Sequence, residues 1–136
     1  DDDLLVSLAA EFTGSGGHLH LAHIEDEMTF NRYIEAISKI ETIDTVNAQS
    51  TIKHQLLKYP TDYLESCRTA LLQEFPSISV EAIVAFGKKL SDYSKYVDDL
   101  GINLLIMHGK DEDQLAMHGL SYPLAIEIRQ IPLLVI

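Results

Sequence analysis

Apolar positions along the chain follow two spacings in turn. Leu4, Leu5, Leu8, Ala9 and Phe12 recur at helical spacing, and Gly14, Ser15, Gly16 and Gly17 end that helix. Residues 18–24 alternate apolar with polar, which predicts a strand running into Glu25, Asp26 and Glu27. Phe30, Tyr33, Ile34, Ile37 and Ile40 mark an amphipathic helix. Residues 44–58 form a more polar helical stretch, and Pro60 suits the first turn of a new helix carrying Tyr63, Leu64, Cys67, Leu71 and Phe75. After Pro76, residues 78–86 read as a strand closed by Gly87. Residues 90–100 form a helix with Tyr93, Tyr96, Val97 and Leu100 inward, and Gly101 is its stop. Residues 104–107 are wholly apolar, as in strands buried on both faces. A helix over 120–129 and an apolar strand over 132–136 complete the order.

Strands alternating with helices predict a doubly wound parallel sheet covered on both faces. In such sheets ligands sit beyond the carboxyl ends of the strands. Here those ends fall at Ile24-Glu25, Phe86-Gly87 and Met107-His108-Gly109. With 136 residues and no repeat or linker, residues 1–136 are expected to form a single domain.

Charge narrows the partners. The chain carries a net charge of −11, which argues against a general nucleic-acid binder, since phosphate neutralisation needs clustered Lys and Arg. The same excess argues against docking on anionic lipid, and no apolar run reaches the roughly 18 residues of a membrane span. Cys67 is the only cysteine, so no internal disulfide forms. Its apolar flanks predict a buried structural thiol, and a reducing cytoplasm fits.

Three segments carry a resemblance. "VEAIVAFGKKLSDYSKYVDDLGINLLIMHG", "LHLAHIEDE" after a short helix, and the ending "IPLLVI" together resemble the universal stress protein family. The resemblance covers nearly the whole chain. It implies a flavodoxin-like sheet of the adenine nucleotide alpha hydrolase-like type, with five strands. The family opens with a strand of the type "ILVAVDGS", central in its sheet, whose aspartate contacts adenine in nucleotide-binding members. This chain starts inside the helix that follows. The central strand is therefore expected upstream of Asp1 or from another chain, because an unfilled centre leaves two rows of backbone groups unpaired.

The resemblance also implies a nucleotide loop, G-x2-G-x9-G-[ST]. Gly109 matches its second glycine and Gly119 its third, with nine residues between them. Ile106 stands where the first glycine belongs, and Leu120 at the Ser/Thr position, with Ser121 next. The candidate nucleotide-binding residues are Gly109, Gly119, Ser121, His108, His118 and Gly87. Glycine after a strand allows close backbone approach, and a helix start attracts anions. Against capture stand Asp111, Glu112 and Asp113 in the loop, beside Lys110, and Glu25, Asp26 and Glu27 at the neighbouring strand end. Like charges about 4 Å apart repel by roughly 1 kcal/mol in water and several times that at a protein surface. ATP would need bound Mg²⁺ or acids turned outward. The other readings are a solvated acidic loop, or a cation held by the acids themselves.

The histidines and lysines offer weaker signals. His18 and His20 share one strand face and His23 the other, so they form no cluster. A His23–His108 zinc pair falls short of the four ligands a structural site wants. His54 lies on a polar helix. Lys88 and Lys89, after Gly87, would reach a phosphate or lie in solvent. No Ser-His-Asp or Cys-His spacing supports catalysis and no metal site is assigned.

The expectation is a non-enzymatic regulatory or stress-response domain in which nucleotide binding is an open question. Leu133, Leu134, Val135 and Ile136 form an apolar edge strand, and family members commonly dimerise through it, so a homodimer is expected. The alternatives are an ATP-binding stress protein, a cytosolic domain covalently attached to a transporter or kinase, and a weak ATPase or adenylate transferase.

Overall fold

The computed structural model describes residues 2–109 and 119–136. Its elements are α1 (Asp2–Thr13), β1 (His18–Asp26), α2 (Glu27–Ser38), α3 (Thr45–Glu74), β2 (Ser79–Gly87), α4 (Lys89–Asp99), β3 (Leu105–Met107), α5 (Ser121–Glu127) and β4 (Leu133–Val135). They group into two compact units, one spanning residues 13–88, the other residues 1–12 and 89–136.

The first unit is built on β1 and β2, paired in parallel from His18 opposite Ser79 to Asp26 opposite Gly87. Gly16 starts this sheet. Its φ of 79° lets the chain turn out of α1, and its N–H donates to Ser77 O at 2.9 Å. Ser79 N–H then donates to Gly17 O at 3.0 Å. From that bond and the register, Leu19, Leu21, His23 and Glu25 turn their backbone groups towards β2, while His18, His20 and Ala22 turn theirs away. Helices α2 and α3 pack on this pair. The unit's core holds Leu19, Leu21, Ile24, Phe30, Leu64, Leu71, Ile78 and Val80.

Helix α3 departs from the expected break at Pro60. It runs unbroken over 30 residues with Pro60 inside it and buried. Proline removes one amide donor and its ring crowds the preceding turn, which normally kinks or ends a helix. The buried ring offsets this by adding apolar contact on the packed face. Cys67 is half-buried on this helix rather than enclosed.

The second unit pairs β3 with β4, again in parallel, with Leu105 opposite Leu133 and Met107 opposite Val135. Val97 of α4 with Leu124 and Ile128 forms its core, lined by Tyr93, Ile102, Leu105, Met107, Leu120 and Ile131. Gly101 closes α4 at φ 62°, and Ile102 N–H returns to Val97 O at 3.0 Å, a glycine C-terminal cap. Leu105, Ile106 and Met107 are only half-buried, against the expectation of a strand enclosed on both faces. Among the described residues β3 pairs with β4 alone and β1 with β2 alone, so each sheet has two strands. A strand acquires full burial from its neighbours, and β3 has one.

Candidate functional site

In the first unit, the strand-end acids are engaged locally. Asp26 caps α2: its carboxylate accepts from the Met28 and Thr29 amides at 3.3 Å each, and from the Thr29 hydroxyl. Asp44 caps α3 in the same way through Val46 and Asn47. Glu25 Oε2 lies 3.0 Å from His23 Nε2, as expected for side chains two apart on one strand face. Asp26 thus spends its charge on helix amides, where a carboxylate is favoured.

Beside these acids stands an aromatic pair. Phe86 of β2 packs on Phe30 of α2 with ring centroids 5.0 Å apart and planes tilted by 52°. Lys53 of α3 holds its ammonium 5.2 Å from the Phe86 ring centre, within cation–π range. Gly87, a candidate phosphate contact, is the buried last residue of β2 opposite Asp26. At the other end of the pair, His20 Nδ1 lies 3.4 Å from Glu81 Oε2 without hydrogen-bond alignment, and is buried with no hydrogen-bond partner.

In the second unit three candidates come together at the carboxyl end of β3. Gly109 N–H donates to Ile136 O at 2.9 Å, and Ser121 Oγ donates to Gly109 O at 3.1 Å. His108 Nε2 lies 3.0 Å from Asp2 Oδ1 of α1. A Cβ built on Gly109 would stand 2.9 Å from Val135 Cγ1, so close packing on β4 alone accounts for a glycine there. Gly119 is half-buried just before the start of α5. His118, with Lys110, Asp111, Glu112 and Asp113, lies outside the described residues.

Chemically, this end is more committed than its spacing suggests. A phosphate would want the Gly109 amide and the Ser121 hydroxyl as donors, and both already donate within the chain. No group of three or more metal-ligating side chains occurs among the described residues. No helix there is long and apolar enough to cross a membrane. Sequence reading missed Asp2, Lys53 and the capping role of Asp26. The caps had a signal, since Asp26 and Asp44 each directly precede a helical run.

Parallel strand pairs interleaved with helices, with polar groups gathered beyond the strand ends, define a flavodoxin-like α/β fold. Solved structures agree. Hypothetical protein MJ0577 matches with a TM-score of 0.74 at 17% identity, over 98% of this chain and 85% of that one. Hypothetical protein PH0823 matches with a TM-score of 0.62 at 17% identity, over 96% of this chain and 84% of that one. At this identity the likeness is one of fold. No family model and no curated protein sequence matches the chain.

Proposed function

We propose that the chain is a regulatory α/β domain of universal-stress-protein type, without a committed reaction, that self-associates through β4. The observation that carries this reading is the internal use of the groups at the end of β3. The Gly109 amide, the Ser121 hydroxyl and the His108 ring all bond within the chain. Such an end suits a domain that responds through contacts and assembly better than one that holds a substrate for chemistry.

A second reading, adenine-nucleotide binding, draws support from the convergence of His108, Gly109 and Ser121 at the carboxyl end of a parallel strand. Its ligand would be ATP with Mg²⁺, entering once some intrachain bonds give way. Isothermal titration with ATP–Mg²⁺, followed by nucleotide analysis of the same mixture, separates the readings. Absence of binding supports the regulatory scaffold. Binding with intact ATP supports the nucleotide sensor. Accumulating ADP or AMP in step with protein would move the chain to the enzymes.

A further inference from the structure

We propose that the Asp2 carboxylate is an internal competitor for an anion seat at His108, so that a phosphate-bearing ligand binds by displacing it. This deepens, and rests on, the nucleotide-binding reading above. Asp2 Oδ1 lies 3.0 Å from His108 Nε2, a contact across 106 positions of sequence. It places a carboxylate oxygen against the His108 ring at the carboxyl end of β3. The chain's own acid thus stands where an incoming anion would.

The two partners differ in freedom. The His108 side chain is 23% exposed and the Asp2 side chain 69% exposed. The backbone on both sides of His108 is tied to β4: Ile136 N–H donates to Met107 O at 3.1 Å, and Gly109 N–H to Ile136 O at 2.9 Å. Histidine is the fixed element and aspartate the movable one. Exposed ion pairs give way easily, so displacement asks little. Asp2 also sits in the first turn of α1, where negative charge is favoured. The plainer alternative is a surface contact that merely fastens α1, and it predicts no change in anion affinity when Asp2 is altered.

The test is titration calorimetry of the full chain with inorganic pyrophosphate and with ATP–Mg²⁺, at low and at high salt. The variants are Asp2→Ala, Asp2→Asn, His108→Gln and, as a control for net charge, Asp3→Asn. Asp2→Ala should bind pyrophosphate about three- to fivefold tighter than the parent chain at low salt, with the gain shrinking at high salt. Asp2→Asn, which keeps an oxygen for the ring, should fall between them. Asp2→Ala combined with His108→Gln should lose the gain. Equal gains from Asp2→Ala and Asp3→Asn would reduce the effect to net charge and overturn the proposal. Parent and Asp2→Ala chains binding alike would also overturn it while leaving nucleotide binding intact. If no chain binds either probe, the anion seat falls, the competitor with it, and the regulatory reading stands alone. Circular dichroism of each variant checks that its helices are retained.

Discussion

Gly109 and Val135 face each other so closely that a methyl group on the glycine would stand 2.9 Å from Val135 Cγ1. The contact sits where β3 ends against β4, and the Gly109 amide is bonded to Ile136 O. A glycine whose spacing suggests phosphate approach therefore has a packing role. Gly109→Ala should destabilise the chain by about 1 kcal/mol, the low end for overpacking, because Val135 is 45% exposed and has room to shift. Adding Val135→Ala should recover most of that loss. Urea unfolding of the single and double variants checks it; a Gly109→Ala chain as stable as the parent would show that the contact carries no strain. The same contact means that lost ligand binding in a bulky Gly109 variant would not by itself report on phosphate.

The Phe30–Phe86 pair anchors α2 to the first sheet. Phe30 is 5% exposed, so Phe30→Ala removes a buried ring and its tilted partner contact. The expected loss is about 3 kcal/mol, the usual scale for emptying a buried phenylalanine site. Lys53→Gln should cost far less, about 0.5 kcal/mol, because the ammonium above Phe86 is an exposed cation–π contact. Denaturant midpoints would rank the two. Equal effects would mean that Lys53 does more than rest on the ring.

Helix α2 depends on one carboxylate at its start. Asp26 receives the Met28 and Thr29 amides, so Asp26→Ala should destabilise by about 1 kcal/mol and Asp26→Asn by less, since asparagine also caps. If Asp26 acted chiefly as a repulsive charge, the alanine variant would be no less stable than the parent and anion affinity would rise instead. Thermal melts and pyrophosphate titration of the same variants decide between the two roles.

Much of the element order was legible from side-chain spacing because helices and strands are local. Gly101 ended α4 and Gly87 ended β2 as their positions suggested. The unbroken α3 was not legible, since proline within a helix is tolerated where tertiary packing holds its turn, and the burial of Pro60 comes from the fold. Nor was the half-burial of Leu105, Ile106 and Met107, because a strand's burial depends on what lies beside it. The His108–Asp2 contact joins residues 106 positions apart, and no spacing rule reaches that far. Gly109 was picked out by spacing, but its neighbour Val135 could come only from the fold.

The side of β1 turned away from β2 makes a prediction of its own. Leu19, Leu21 and Ile24 are buried like residues of an interior strand, yet among the described residues β1 bonds to β2 alone. His20 and Ala22 point their amides away from β2. A further extended strand laid along this side would satisfy them, since open strand edges invite pairing. In this chain alone, the Ala22 amide should exchange with deuterium far faster than the Leu21 amide, which faces β2. Ala22→Pro removes only the outward donor and should leave the β1–β2 pairing intact. Slow exchange at both amides would show that a partner strand is already in place.

Self-association can be argued from β4 in the same terms. Leu105 N–H donates to Pro132 O and Ile136 N–H to Met107 O, so the even-numbered positions of β4 serve β3. Leu133 and Val135 therefore turn their backbone groups to the opposite side, and Val135 and Ile136 expose 45% and 38% of their surface. A second copy laid antiparallel along that side would pair these groups by two-fold symmetry and cover the apolar side chains. Light scattering at tens of micromolar, a range set by the modest area such a short strand buries, should give twice the chain mass. Val135→Lys places a charge on the shared edge and should return the monomer without unfolding it, the role edge lysines commonly serve. A parent chain that stays monomeric, or a Val135→Lys variant that still dimerises, would move the interface elsewhere.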